Sequence, residues 1–399
     1  MEFKGYPNIL IHGFFGWGDG DLLNKISPYF GGILAQGMDK YLTKQGYETY
    51  APAVGAWNSA WDRSCELYAI IKGGTVDYGK AHSEKYGHER FGRTYPGLIK
   101  DWGEPGPHEK INIIGHSFGG PTVLVFTDLL DRGFEEERAC TPANELSPLF
   151  AGGKATWIHT ATTLSGTNNG TTLASAGADL HVANLVNFLL LGVISTTLGE
   201  TRFMHAWDML VDHWGISTDA KKNKNFHFRS PMACKDAIDR YNANNFDNIM
   251  GEMRVETAHE MNEYLGISDK MYYFARRACR SHQVGTFPFH AMDLKSFPIA
   301  HISQLITGWY SSKALKDLGM TDEWYASDGP VNTVCTAAPW NKPSEEWTEN
   351  SVIVPGKWYN MPVEYKDHFS WMGFLEDKNV YRQYFLDMVD GFTKLPPVR

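Results

Sequence analysis

Ile111-Asn112-Ile113-Ile114-Gly115-His116-Ser117-Phe118-Gly119-Gly120 decides how this chain is read. The isoleucines form a short buried-strand pattern that runs straight into a Gly-x-Ser-x-Gly pentapeptide, and the helix-like segment Pro121 to Leu130 follows. Strand, sharp turn and helix, with a serine at the apex, is the layout of a nucleophile elbow. The glycines belong there because a strained turn leaves no room for side chains beside the serine. The competing reading is an ordinary Gly/Ser turn between two core elements.

Outward from the elbow, strand-like segments recur at Asn8 to His12 and Thr156 to Leu164, and more weakly at Met271 to Ala275 and Val352 to Tyr359. Helix-like stretches lie between them, and Tyr381 to Phe392 closes the chain. Alternating strands and helices predict an α/β fold with a mostly parallel sheet, organised as one domain over 1–399. Hydrophobic residues make up 43% of the 399-residue chain and charged residues 21%, with a net charge of −9. That balance describes a globular protein with an ample core and argues against nucleic acid as a partner. The five cysteines are scattered, without the close pairs of a thiolate metal site, and one disulfide is compatible with them. The longest apolar run, Phe188 to Ile194, is too short for a transmembrane span. Met1 to Lys4 leads directly into a strand, leaving no signal peptide, although a cleaved export signal would leave the same start. Two stretches depart from the strand and helix alternation. Residues 57–97, dense in His, Gly, Tyr and charge, read as an irregular insertion. Residues 171–232 open with an apolar helical pattern (Leu173, Leu180, Leu185, Leu189, Val193), which suits a lid over an apolar cleft, with a plain buried core helix as the alternative.

A serine hydroxyl is a weak nucleophile at neutral pH, so Ser117 needs a histidine base, and that base needs an orienting carboxylate. In elbow hydrolases the chain order is Ser, acid, His. Asp328, in a polar turn, and His368, between a strand pattern and the last helix, have that order, with Asp322 and His301 as competitors. The developing oxyanion requires backbone N–H donors. One falls on Phe118 and the other on Phe14, in the loop Ile11-His12-Gly13-Phe14. A second constellation, Asp62, Asp77, His82, Glu84, His88 and Glu89, lies in the insertion. His82 and His88 would stand roughly 120° apart on a continuous helix, so they converge on an ion only if the chain turns, for which Gly87 offers a place. Imidazoles and carboxylates together suit zinc; the alternative is a solvated charged loop.

The chain resembles the zinc-containing thermoalkalophilic bacterial lipases. The resemblance rests on Ile11 to Phe14 with Gly16-Trp17-Gly18, on Trp61-Asp62-Arg63, on Gly73 to Gly79, on Ala81-His82 and on Gly87 to Gly97. It implies an α/β-hydrolase fold, carboxylester hydrolysis on apolar substrates or at a lipid–water interface, export from the cell, and a triad of Ser117, Asp328 and His368. It also implies a structural zinc on Asp62, His82, His88 and an aspartate after the lid. Asp247 matches best for the last, with Asp236 and Asp239 as rivals. A site with four protein ligands has no open position for a reacting water. The chain departs from the family at Gly115 and Phe118, where Ala and Gln are usual, and the second change bears on the acyl pocket. The family's calcium carboxylates fall on Ser370 and Leu375, which leaves calcium doubtful. Two further readings compete: a metallohydrolase using the Asp/His cluster directly, and a non-catalytic lipid-binding module.

Overall fold

The computed structural model describes residues 3–187, 207–216 and 235–399. Its strands, in chain order, are β1 (Asn8–Ile11), β2 (Thr49–Tyr50), β3 (Gly74–Asp77), β4 (Phe91–Tyr95), β5 (Ile111–His116) and β6 (Ile158–Leu164). β7 (Tyr272–Arg276), β8 (Ser281–Gln283), β9 (His290–Met292), β10 (Ser344–Glu346) and β11 (Trp358–Asn360) follow. Seven of them form a sheet in the order β10-β11-β7-β6-β5-β1-β2, and every neighbouring pair is parallel. Alternation along the central strands explains why the sheet is covered on both faces. Ile9, Ile11, Ile111 and Ile113 join one hydrophobic cluster, whereas Leu10 and Ile114 join another. Successive strand residues point to opposite faces, so each strand feeds two cores. The helices Ala60–Lys72 and Gly119–Arg132 cover the first face, and Met38–Lys44 and Lys378–Thr393 cover the second. Asn112 interrupts the isoleucines of β5 without leaving a buried polar group unpaired. Its amide donates to Asn8 Oδ1 at 3.1 Å, and its oxygen accepts from Thr160 Oγ1 at 2.9 Å.

Two expectations change. The insertion at 57–97 is ordered secondary structure: the helix Ala60–Lys72, the β3–β4 hairpin and the helix Lys80–Tyr86. Its first helix is buried on nearly all sides, with Asp62, Arg63 and Glu66 inside, which erases the apolar periodicity that marks a helix in sequence. The stretch Val352 to Tyr359 is strand only at its end, because Pro355 and Gly356 form a turn before β11. Of the expected lid at 171–232, residues 188–206 and 217–232 lie outside the described residues. Thr172–Asp179 and Val182–Asn187 are helical, and 207–216 crosses between the early loops and the insertion. Cys65, Cys140, Cys279 and Cys335 are free thiols, and Cys234 lies outside the described residues. No described helix is long and apolar enough to cross a membrane.

Candidate active site and metal centre

Parallel strands present their connecting loops at their carboxyl ends, and there the candidate residues gather. Phe14 follows β1, Ser117 follows β5 and His368 follows β11. Ser117 has φ +58°, a left-handed conformation that few non-glycine residues adopt, and it is nearly buried. The turn is held by Ser117 N–H donating to Leu164 O at 3.0 Å and by Thr167 N–H donating to Ser117 O at 3.1 Å. Gly115 is required: a Cβ there would lie 2.1 Å from Gly119 O. This accounts for glycine at the first position of the elbow.

Asp328 and His368 meet directly. Asp328 is fully buried, and its Oδ2 accepts from His368 Nδ1 at 2.7 Å; His368 N–H also donates to Asp328 O at 2.9 Å. With the proton on Nδ1, the Nε2 lone pair is left bare. Val331 N–H donates to Asp328 Oδ1 at 3.0 Å, which fixes the carboxylate plane. Asp322, by contrast, is exposed on a short 3-10 turn, and His301 sits on the helix Pro298–Thr307.

The loop carrying Phe14 presses against the serine. A Cβ on Gly13 would come within 2.5 Å of Ser117 Cβ and 2.9 Å of its Oγ, so glycine alone permits this approach. His12 Nε2 accepts from Val54 N–H at 3.2 Å, which leaves the proton on Nδ1 to donate to Gly13 O at 2.9 Å. Burial and the Arg63 guanidinium hold the His12 ring neutral, with its pKa down at about 3. The amides of Phe14 and Phe118 have no acceptor among the described residues. The Phe118 side chain departs from expectation. Its ring is fully buried beneath the Arg63 guanidinium, 5.4 Å from the ring centre.

Asp62, His82, His88 and Asp247 converge, each offering an atom within 4.8 Å of the others. The turn at Gly87 that this convergence needs is present, with φ +78° capping the helix Lys80–Tyr86. Asp247 is the fourth member, while Asp236 and Asp239 are exposed. Asp62 Oδ1, His82 Nε2, His88 Nε2 and both Asp247 oxygens are buried without a well-formed hydrogen bond, and they face one another, with His82 Nε2 and His88 Nε2 3.1 and 3.2 Å from the two Asp247 oxygens. Buried polar atoms are almost always paired, so five orphans aimed at one point fit a cation. Burial and the Asp247 charge push the Asp62 carboxyl up to about 7. Asp247, against the effect of burial, is held below the usual carboxylate range by His82 and His88. Two buried carboxylates this close favour a positive charge between them, which a metal ion or a protonated histidine supplies. His88 Nδ1 donates to Glu89 O at 3.0 Å, which turns Nε2 inward as a ligand atom. Trp61 stacks on His82 at 4.6 Å.

The model of the lipase-like, C-terminal domain family matches residues 4–394. This chain belongs to that family. As a lipase-like domain it is 30% identical over 380 residues to lipase 2 of Staphylococcus aureus, covering 94% of this chain and 51% of the relative. It is 31% identical over 377 residues to the lipase of Staphylococcus hyicus, covering 92% and 53% respectively. The chain thus spans about half the length of the curated relatives it matches. Among solved structures, Staphylococcus hyicus lipase superposes with a TM-score of 0.81 at 26% identity, covering 98% of this chain and 95% of that one. EstA from Clostridium botulinum gives 0.81 at 32% identity, with 100% and 89% coverage. Lipase 1 from Pelosinus fermentans gives 0.77 at 31% identity, with 99% and 100% coverage.

Several residues of the lipase-like domain's sites carry no local signal in the sequence. His213 Nε2 donates to Asp62 Oδ2 at 2.8 Å while stacking on Tyr78 at 4.1 Å. Glu137 accepts the N–H groups of Lys80, Ala81 and His82 at 2.7, 3.1 and 2.8 Å, so it caps the helix that carries His82. Arg63, one residue after Asp62, donates to the His12 carbonyl. Near His368, Arg280 Nη1 lies 3.5 Å from Asp367 and 3.9 Å from Glu376, and Asp367 accepts the Ser370 N–H.

Proposed function

We propose that this chain hydrolyses carboxylic esters of apolar acids through an acyl-enzyme on Ser117. The observation that carries the reading is the Asp328–His368 pair at 2.7 Å, with the His368 ring 4.6 Å from that of His116, the residue before a serine held at φ +58°. His368 Nε2 takes the Ser117 proton as Oγ adds to the ester carbonyl, and the amides of Phe14 and Phe118 receive the oxyanion. Asp328 holds the imidazolium that forms. The tetrahedral adduct expels the alcohol, which leaves with the proton from His368. Water then adds to the acyl-enzyme by the same route and releases the acid.

An apolar substrate is supported by the helix Pro298–Thr307, which buries Ala300, Ser303, Gln304 and Thr307 and exposes Ile299, Ile302 and Leu305. Its neighbour Trp309 is exposed as well. A surface helix normally buries its apolar stripe; this inverted one packs Ala300 against Gly329, next to Asp328. Acylglycerols, polyesters and other esters presented at a lipid–water interface suit such a rim, and action on them outside the cell belongs to the same reading. Asp62, His82, His88 and Asp247 would hold a structural zinc, which supplies a cross-link between the insertion and the segment carrying Asp247. Calcium is not assigned a role. Ser117→Ala should abolish hydrolysis of a chromogenic ester while leaving the melting temperature unchanged; retained turnover would overturn the mechanism. Metal analysis after dialysis should find about one zinc per chain, and a zinc-free active protein would remove the zinc assignment.

A further inference from the structure

A continuous line of hydrogen bonds joins the loop of Phe14, the elbow and the histidine base. Gly13 N–H donates to Tyr29 Oη at 2.9 Å, Tyr29 Oη donates to His116 Nδ1 at 2.8 Å, and His116 Nε2 donates to the main-chain oxygen of His368 at 3.1 Å. Both ends force the direction. A carbonyl oxygen only accepts, so the His116 proton sits on Nε2 and Nδ1 is a bare acceptor. The single Tyr29 proton must then go to Nδ1, which leaves the Tyr29 oxygen to receive the Gly13 N–H. Tyr29 is 4% exposed and His116 0%, so both hydrogen-bonding groups are shut off from bulk water. Burial and the nearby His368 keep the His116 imidazole neutral.

We propose that Tyr29 and His116 are positioning residues for ester hydrolysis, holding the Phe14 amide, Ser117 and His368 in register with one another. The proposal rests on the ester-hydrolase reading. Its physical basis is the pair of peptide planes flanking Gly13. The His12–Gly13 plane presents the N–H that Tyr29 receives. The Gly13–Phe14 plane contains the Phe14 N–H, and the His12 ring holds its carbonyl. Glycine has few torsional restraints of its own, so these two bonds set where the Phe14 amide points. His116 immediately precedes Ser117, and its other nitrogen restrains the backbone of His368. A shift at either end therefore displaces an oxyanion donor relative to the nucleophile and its base. Misplacement of about 1 Å in such a constellation costs on the order of 100-fold in rate.

The experiment is Tyr29→Phe, which keeps the ring packed among His12, Trp17, Phe30 and His116 and removes only the hydroxyl. We expect kcat on a four-carbon chromogenic ester to fall about 10- to 100-fold with KM nearly unchanged. An alkyl boronic acid, whose tetrahedral adduct on Ser117 places an oxygen at the Phe14 and Phe118 amides, should bind weaker by a similar factor. A kcat within about two-fold of the parent, or a lower kcat with unchanged boronate affinity, overturns the proposal. Ser117→Ala measured alongside separates this outcome from failure of the hydrolase reading, because an active Ser117→Ala sinks that reading whatever Tyr29→Phe does. If Tyr29→Phe does not fold, the unmodified protein still decides. Nitrogen-15 shifts of the His116 ring at pH 7 should place the proton on Nε2 alone, and a proton on Nδ1 overturns the proposal.

Discussion

At Gly13 a single added methyl group would meet the side chain of Ser117 directly. The Gly13 φ is not in the left-handed region, so the backbone would accept alanine; the obstacle is Ser117, whose Cβ and Oγ would stand 2.5 and 2.9 Å from the new carbon. Gly13→Ala must therefore push Ser117 or the Phe14 loop aside. We expect kcat to fall on the order of 100-fold, read by steady-state kinetics together with the rate of labelling by a phosphonate. Unchanged labelling would show that Ser117 had not moved. At this scale the sequence reading was strongest where chemistry dictates residue type: Asp328 and His368 are hydrogen-bonded to each other, and Ser117 occupies the left-handed apex of the turn after β5. It failed where a role depends on what lies on the far side of a side chain. Phe118 follows the nucleophile, yet its ring turns into the core under Arg63. Tyr29 and His116 meet across 87 residues, and no spacing rule could have paired them.

Among the elements, the helix Lys80–Tyr86 is the most dependent on a neighbour. It spans 7 residues, too few to be stable alone, and its first amides all point at Glu137 on the helix Glu135–Cys140. A carboxylate at a helix N-terminus both receives the free N–H groups and opposes the helix dipole. Glu137→Gln keeps the shape and loses the charge, so His82 should be held less firmly and zinc affinity should fall about ten-fold. Competition with a chromogenic chelator measures this, and an unchanged affinity would show that the cap is irrelevant to the metal. Legibility at the level of elements followed burial. β5 and the helix Gly119–Arg132 have apolar patterns of the expected period and were readable. The helix Ala60–Lys72 was not, because Asp62, Arg63 and Glu66 face partners at His213, His12, Gly55 and Asn58 that are distant or non-periodic in sequence. Strands as short as β2, with two residues, are created by their neighbours in the sheet and have no pattern to read.

For the molecule as a whole, long-range polar contacts set how stability responds to solution conditions. His108 joins Asp101 at 2.8 Å and Glu48, beside β2, at 3.0 Å. Burial lowers its pKa, but the two carboxylates outweigh this and raise it. A raised folded-state value stabilises fully below the unfolded histidine pKa, and that contribution is lost as pH rises through the folded value. The melting-temperature gap between parent and His108→Gln should therefore be largest in mild acid and shrink above neutrality; a gap that widens with pH would contradict the ion-pair account. The proposed metal centre would reach further, because the residues that would hold it brace the loop beside Ser117. Asp62 is followed by Arg63, which holds the His12 carbonyl, and is itself held by His213. His213 belongs to the segment 207–216, which Arg93 grips at Asp208 and Asp212. That segment ends on the Phe14 loop, with Trp207 Nε1 donating to Gly16 O at 2.9 Å and Asp208 N–H to Asp21 at 3.0 Å. If the proposed ion is bound, removing it would leave Asp62 and Asp247 without that positive charge at the root of both connections. Chelation should then lower the melting temperature and kcat together, and both should recover as free zinc is raised in metal-buffered solutions. Because binding to the folded state alone stabilises logarithmically in free ligand, the melting temperature should climb steadily with the logarithm of free zinc above the dissociation constant. A melting temperature flat across several decades of zinc would mean that the five orphaned atoms hold no such ion, while recovery of the melting temperature without recovery of kcat would sever the link through Arg63 and 207–216 and leave the metal as a local staple.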